Sequence, residues 1–166
     1  MAPAAVFVGT MGAGKTSVGQ AVARLLGVPF ADTDAIIEST AGKPIPEIFF
    51  DDGEDAFRAL ERSTVAAALA DFDGILALGG GAIMNDETRA LLAHHTVIWL
   101  SVELSDAVKR VGLGAGRPML AINPRATMKF LLDQRKPLYA SVATHTVATD
   151  GREVGDIAAE VVGLLK

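Results

Sequence analysis

One glycine-rich stretch near the start of the chain, GTMGAGKTS at residues 9–17, constrains its fold more than any other feature. It fits the pattern G-x-x-x-x-G-K-[ST], with the closing glycine, lysine and threonine at residues 14–16. The apolar run AAVFV at 4–8 precedes it and is typical of a buried parallel strand. Because apolar residues at helical spacing follow, the stretch predicts a tight loop between a strand and a helix over 15–26.

The rest of the chain repeats this alternation of short apolar runs and helical patterns. The predicted strands are 4–8, 28–31, 75–78, 96–100 and 145–148, and the predicted helices are 15–26, 35–40, 45–50, 54–70, 86–93, 105–111, 126–141 and 154–164. Strands that alternate with helices indicate an α/β fold, an open five-stranded parallel sheet with helices on both faces. The length suits a single domain, residues 1–166.

Composition and charge exclude several classes of function. Half of the residues are hydrophobic, but charged residues interrupt every apolar run before it reaches the length of a membrane span. The start lacks the basic and apolar regions of a signal peptide, and the chain has no cysteine for disulfides. The net charge of −5 provides no basic field for nucleic acid. We expect a cytoplasmic protein that binds neither membrane nor nucleic acid.

The glycine-rich loop has the composition of a phosphate-binding site. Its glycines let backbone N–H groups face a phosphate, and the following helix adds the positive end of its dipole. Lys15 would then reach the β- and γ-phosphates, while the Thr16 hydroxyl would bind Mg²⁺. A flexible turn before a helix is the alternative, but the strand before and the helix after favour nucleotide binding.

Unusual residues also follow the second and third predicted strands. Asp32 and Asp34 come after one, and Gly79, Gly80 and Gly81 after the other. In a parallel sheet the carboxyl ends of the strands lie at one edge, where ligands bind. There Asp32 would hold Mg²⁺, Asp34 would orient or deprotonate an alcohol, and the glycine N–H groups would receive a substrate. The alternatives are that Asp34 is a helix N-cap and that the glycines form only a turn.

Three arginines are candidates for anion recognition. Arg58 lies between Glu54 and Glu61 at helical spacing, so a surface ion pair is its alternative interpretation. Arg117, in GAGRP, has the setting of a lid that delivers a cation to a transferring phosphoryl group. Arg135, in QRKPLY, either decorates a helix or points into the cleft.

Taken in order, GTMGAGKT, DTD, GEDAFRALE, LALGGGA, GRPML and RKPLYASVA resemble shikimate kinase, within the nucleoside-monophosphate-kinase-like branch of P-loop proteins. The resemblance covers nearly the whole chain. It implies the P-loop kinase fold, with a mobile lid at about 112–124 and substrate-binding helices at about 33–61. The implied activity, in aromatic amino acid biosynthesis, is ATP-dependent phosphorylation of the shikimate 3-hydroxyl, which gives shikimate 3-phosphate and ADP. Mg²⁺ is the implied metal, and a monomer is expected.

The resemblance and the motifs together assign roles to individual residues. ATP would be bound by Gly12, Ala13, Gly14, Lys15, Thr16, Ser17, Arg110, Arg117 and Arg152. Shikimate would be bound by Asp34, Arg58, Gly79, Gly80, Gly81 and Arg135, with its carboxylate on Arg58, Gly80 and Arg135. Thr16 and Asp32 would hold Mg²⁺, and Lys15, Asp34 and Arg117 would be catalytic.

Two other functions remain open from the sequence. A related kinase could act on another polyol acid such as gluconate, although the DTD and R-x-P-L-Y sequences favour shikimate. A regulatory protein could bind ATP without transferring phosphate, but such a protein would not need a pocket of paired arginines. Release of ADP with and without shikimate separates these alternatives.

Overall fold

The computed structural model describes residues 3–103 and 124–166, which form a five-stranded, wholly parallel sheet flanked by helices. The strands are β1 (Ala5–Val8), β2 (Phe30–Asp32), β3 (Ile75–Ala77), β4 (Val97–Ser101) and β5 (His145–Ala148), in the order β2-β3-β1-β4-β5. The helices are α1 (Lys15–Leu26), α2 (Thr33–Ala41), α3 (Ile45–Asp52), α4 (Glu54–Asp71), α5 (Asp86–Leu92), α6 (Pro124–Val142) and α7 (Val154–Leu165), with a 3₁₀ turn at Ala82–Met84.

Alternation along the strands divides the core between the two faces of the sheet. In β1, Ala5 and Phe7 pack with α1 and α7, whereas Val6 and Val8 pack with α4, α5 and α6. Successive side chains of a strand point to opposite faces, so a continuous apolar strand such as AVFV is buried on both sides. The predicted parallel sheet with helices on both faces is confirmed.

A smaller cluster of buried side chains lies beside the sheet and joins α2, α3 and α4. Ile37, Ile48 and Phe57 form its centre, and the rings of Phe49 and Phe57 lie 4.9 Å apart. These three helices cover the segment predicted to bind substrate, about 33–61, and they follow β2 in the chain. The cluster fixes the helices in position beside the sheet edge.

The alternative interpretation of Asp34 as a helix cap is excluded. Asp34 was a candidate N-cap, but the cap of α2 is Asp32, whose side chain accepts a hydrogen bond from the Asp34 N–H. The helix begins two residues earlier than predicted because Asp32, in extended backbone at the end of β2, already supplies the capping oxygen. Asp34 therefore lies in the first turn, and its carboxylate is not the capping group.

Some predictions fall outside the described residues. These are Arg110, Arg117, the helix at 105–111 and the lid at about 112–124, of which only the last residue, Pro124, belongs to a described element. Within 3–103 and 124–166, no helix combines the length and hydropathy needed to cross a bilayer.

Candidate active site

The glycine-rich loop connects β1 to α1 at the carboxyl edge of the sheet. Gly14 caps α1 in the left-handed conformation, with φ +93°, which favours glycine because a Cβ would be strained there. Lys15 is the first residue of the helix, and the first turn carries no acidic side chain. The loop therefore presents the positive end of a helix to an anion, as the sequence predicted.

Lys15 lies over this loop rather than in solvent. Its Nζ donates to the carbonyl oxygens of Gly9, at 2.6 Å, and Thr10, at 2.9 Å. These contacts hold the ammonium charge over the loop. A point charge in this position suits the β- and γ-phosphates of a nucleotide.

Two oxygen-bearing side chains meet at the adjacent end of β2. Thr16 Oγ1 donates a hydrogen bond of 2.9 Å to Asp32 Oδ2, while Asp32 Oδ1 accepts from the Asp34 N–H, also at 2.9 Å. Mg²⁺ prefers hard oxygen ligands and usually keeps several waters, so a hydroxyl and a carboxylate beside a triphosphate fit it. The described ranges contain no cluster of three or more His, Asp or Glu side chains that would bind a metal without such help.

Gly79 lies against two of the acidic side chains of the cleft. A Cβ added there would approach Asp34 Oδ1 to 2.6 Å and Glu61 Oε2 to 3.0 Å. Its N–H, which the sequence suggested as a donor to substrate, already donates to the buried hydroxyl of Thr33. The first glycine therefore serves a different purpose from the expected one, because it provides the space in which these carboxylates lie against the backbone.

Gly81 stands in the same relation to Arg58. A Cβ at Gly81 would lie 2.6 Å from Nη1 and 2.8 Å from Nη2 of that guanidinium. Arg58 in turn pairs with Glu61, with Nη1 and Oε1 2.6 Å apart, and with Glu54, with Nε and Oε2 3.5 Å apart. The two interpretations of Arg58 are thus not exclusive, since Arg58 lines the cleft and pairs there with the buried Glu61, while it also pairs with the exposed Glu54.

Glu61 is a site residue that the sequence analysis did not select. It is only 4 % exposed, and burial raises its pKa although the nearby Arg58 and Arg135 charges lower it. A buried carboxylate needs compensating cations, and both arginines supply them. Its spacing of three residues after Arg58 indicated the ion pair but gave no sign of burial.

Arg135 and Tyr139 lie on one face of α6 and reach the middle glycine. Arg135 is 3 % exposed, and a Cβ on Gly80 would lie 3.4 Å from its Nη1. The Tyr139 hydroxyl donates to the Gly80 carbonyl oxygen. Close approach of charged side chains thus explains the glycines at 79 and 81, whereas a Cβ at Gly80 would make an ordinary contact with Arg135.

These groups line one cleft of about 380 Å³ that joins the loop to α2, α3, α4 and α6. One wall is apolar and was missed in the sequence, being formed by Ile45, Pro46, Phe49 and Phe57. The predicted residues that line the cleft are Gly12, Lys15, Thr16, Asp32, Asp34, Arg58, Gly79, Gly80, Gly81 and Arg135. Phosphate-binding, acidic and arginine groups therefore face a single space beside a surface that suits a carbon ring.

Three further predicted nucleotide contacts lie elsewhere. The Ala13 N–H donates to the Thr10 carbonyl within the loop, and Ser17 is exposed in the first turn of α1. Arg152 follows β5, where its guanidinium donates to the Ala148 carbonyl and pairs with Glu160 at 2.7 Å. Arg152 is thus at the correct edge of the sheet but not among the residues that line the cleft.

Comparison with known proteins agrees with this geometry. Residues 11–166 match the family described as Shikimate kinase. Over 99 % of both chains, the protein is 66 % identical to a shikimate kinase of Salinispora arenicola and 64 % identical to one of Salinispora tropica. A solved shikimate kinase of Acinetobacter baumannii in complex with shikimate superposes with a TM-score of 0.95 and 35 % identity, covering 99 % of this chain and 93 % of the other. The chain therefore belongs to the shikimate kinase family.

Proposed function

We propose that this protein transfers the γ-phosphoryl group of ATP to the 3-hydroxyl of shikimate, which gives shikimate 3-phosphate and ADP. Membership of the shikimate kinase family supports the activity. The observation that carries the proposal is the cleft itself, in which the phosphate loop adjoins an acidic group and two buried or half-buried arginines.

The nucleotide would occupy the loop side of the cleft. Lys15 would exchange its carbonyl partners for β- and γ-phosphate oxygens, and the backbone of 12–14 together with Ser17 would surround the phosphates. Mg²⁺ would be held by Thr16 and Asp32, and when bound it neutralises phosphate charge. Arg110, Arg117 and Arg152 remain predicted ATP contacts, with Arg117 in a lid at about 112–124.

The acidic substrate would occupy the other side. Arg58, Arg135 and the backbone of Gly80 would hold its carboxylate, since a guanidinium can bind both carboxylate oxygens at once. The apolar wall that includes Phe49 and Phe57 would contact the carbon ring. In this arrangement Gly79 and Gly81 leave room for the side chains that bind the substrate.

The transfer then requires one bond to form and one to break. The oxygen of the 3-hydroxyl forms a bond to the γ-phosphorus, and the bond from that phosphorus to the β–γ bridging oxygen breaks, leaving its electron pair on ADP. The hydroxyl proton passes to the carboxylate of Asp34, which lines the same cleft as the phosphate loop and the arginines. Lys15 balances the charge that develops on the phosphate oxygens.

We also propose that residues 1–166 act as one monomeric kinase domain in the cytoplasm, with no membrane or nucleic-acid partner. The absence of cysteine and the net charge of −5 support this setting.

A coupled assay of ADP release tests the proposal. Shikimate, quinate, gluconate and nucleoside monophosphates are offered separately with ATP and Mg²⁺, and the phosphorylated product is identified by ³¹P NMR. Of these acceptors, we expect only shikimate to give rapid ADP release. Preference for gluconate would indicate the related polyol-acid kinase, and ATP binding without ADP release on any acceptor would indicate a regulatory protein.

A further inference from the structure

A single buried hydroxyl connects two groups of the arginine side of the cleft. Tyr139 lies four residues after Arg135 on α6, hence on the same helix face. Its ring is 1 % exposed, and its hydroxyl donates to the Gly80 carbonyl oxygen. The Arg135 guanidinium lies within side-chain hydrogen-bonding reach of the same phenol oxygen, and a phenol oxygen can accept one hydrogen bond while its O–H donates another.

The phenol is fixed in both protonation and orientation. Burial raises the pKa of Tyr139 to about 12, so the O–H stays a donor at any pH used for an enzyme assay. The ring also stacks on Trp99, with centroids 5.8 Å apart and planes 28° apart. These contacts leave the hydroxyl directed at the Gly80 carbonyl.

The hydrogen bond to Gly80 sets the orientation of a flexible peptide. Glycine residues lack the steric limits that fix backbone angles in other residues, and Gly79, Gly80 and Gly81 are consecutive. Holding the Gly80 carbonyl fixes the plane of the peptide that joins it to Gly81. In this trans peptide the Gly81 N–H then points away from Tyr139.

The contact with Tyr139 helps to order the Arg135 side chain, which is charged and not fully hydrogen-bonded. The Arg135 guanidinium is buried, yet its Nε has no hydrogen-bond partner among the residues that the structure describes. Long arginine side chains lose conformational entropy when they are ordered, and that loss weakens binding when it occurs only on association. A phenol that holds the guanidinium in advance removes part of this loss.

We propose that Tyr139 is a positioning residue for recognition of the substrate carboxylate, acting through Arg135 and the Gly80 peptide without itself touching the substrate. The proposal rests on the proposed function, because it names a determinant of binding in the same cleft. The proposed role affects binding of the acidic substrate and not of the nucleotide. Tyr139 and Trp99 are distant in the chain from the phosphate loop, and neither residue lines the cleft.

The test compares Tyr139→Phe with a matched loss of hydroxyl at the far edge of the sheet. Tyr139→Phe keeps the ring and its stacking but removes the O–H. Thr144→Val removes a hydroxyl that accepts from the Val97 N–H, at the amino edge of the strands and away from the cleft. Each variant loses a hydroxyl that forms a hydrogen bond to the backbone, so both melting temperatures are expected to fall by comparable amounts.

Steady-state kinetics then separates positioning from general stability. For Tyr139→Phe we expect KM for shikimate to rise about fivefold to tenfold, with kcat and KM for ATP within about twofold of the wild type. For Thr144→Val all three constants are expected to stay within about twofold. Michaelis constants do not depend on the fraction of enzyme that is folded, so partial unfolding of a variant does not obscure the comparison.

Two results would overturn the positioning role: an unchanged KM for shikimate in Tyr139→Phe, or an equal rise in both variants. A wild type that releases no ADP with shikimate would contradict the proposed function instead. In that case calorimetric titration with shikimate still tests Tyr139, since weaker binding by Tyr139→Phe supports the role and equal dissociation constants refute it.

Discussion

Arg58 Nη1 lies 2.6 Å from Glu61 Oε1, one turn apart on α4, and this ion pair forms part of the wall of the cleft. Glu61 is buried, whereas the Arg58 side chain is 27 % exposed and also contacts Glu54. A guanidinium has five N–H donors, so Arg58 can hold Glu61 and still bind a carboxylate. Glu61 thereby fixes the arginine before substrate arrives.

The first prediction follows from the raised pKa of Glu61. Burial makes the folded protein bind this proton more tightly than the unfolded chain does, so the contribution of Glu61 to stability is most favourable below pH 4.5 and is lost as pH rises through the raised pKa. Glu61→Gln removes that titration. Urea unfolding at several pH values should give a wild type that loses more unfolding free energy than Glu61→Gln as pH rises from 4.5.

Glu54→Gln is the control for this experiment, because it removes the exposed carboxylate that contacts the same arginine. It is expected to keep most of the pH dependence of the wild type, because the Glu54 charge makes the smallest of the contributions that shift the pKa of Glu61. The difference in unfolding free energy between wild type and Glu61→Gln would contradict a raised pKa of Glu61 if it stayed constant with pH. It would also do so if the wild type became relatively more stable as pH rises.

The second prediction separates the two roles of Asp32. Asparagine is as good an N-cap as aspartate, so Asp32→Asn should keep the melting temperature of the wild type, whereas Asp32→Ala should lose about 1 kcal/mol of stability. Both variants remove the carboxylate beside Thr16. We expect the Mg²⁺ concentration for half-maximal activity to rise by about tenfold or more in both. An unchanged requirement for Mg²⁺ in Asp32→Asn would show that Asp32 is only a cap.

The third prediction concerns Asp34, whose carboxylate is not the capping group of α2. Asp34→Asn should lower kcat by about 10²-fold to 10⁴-fold, the usual contribution of a general base, with little change in melting temperature. Calorimetric measurement of shikimate binding accompanies the kinetics. If kcat is retained and binding is weakened instead, Asp34 orients the hydroxyls without accepting the proton.

The fourth prediction tests the space that the glycine triplet provides. A methyl group at Gly81 would lie within 2.9 Å of three atoms of the Arg58 guanidinium, so the arginine must move. Gly81→Ala is expected to raise KM for shikimate about tenfold or more, because small displacements of binding groups are costly. Gly163→Ala, at an exposed position on α7 with no atom within 4 Å, should leave kinetics unchanged and slightly increase stability. Equal kinetics in Gly81→Ala and Gly163→Ala would show that the close approach of Arg58 to Gly81 does not matter for substrate binding.

Much of the fold was predictable because its signals are local. Short runs rich in apolar residues identified all five strands, and the bounds of the described helices lie within two residues of the predicted ones. The start of β2 is instructive, since the strand begins at Phe30 rather than at the predicted Val28. The Val28 N–H instead closes the end of α1 by donating to the Ala23 carbonyl, and Pro29 has no N–H to donate. The hydrogen bond of the Val28 N–H is not visible in the pattern of hydrophobic residues.

The site was predictable where a motif carries its chemistry, and less so where burial creates the role. Lys15, Thr16 and Asp34 stand in recognisable motifs and line the cleft. Glu61 and Tyr139 were not selected, because the pattern gave no sign that Glu61 is buried or that Tyr139 has a partner distant in the chain. Tyr139, for example, bonds to Gly80, 59 residues away. Only the spacing of four residues from Arg135 hinted at a shared face.

The most direct test of the account compares shikimate with its methyl ester on the wild type and on Arg58→Lys. The central claim is that an acidic protein holds an acidic substrate through a local arginine pocket, in which a charge-assisted contact is worth about 1.5–3 kcal/mol. Arg58→Lys should therefore lower kcat/KM for shikimate by about tenfold to a hundredfold, leaving KM for ATP nearly unchanged. The ester should be a poor substrate of the wild type and lose little more on the variant. Equal losses for acid and ester would contradict the account, because Arg58 would then serve its carboxylate partners on α4 and not the substrate.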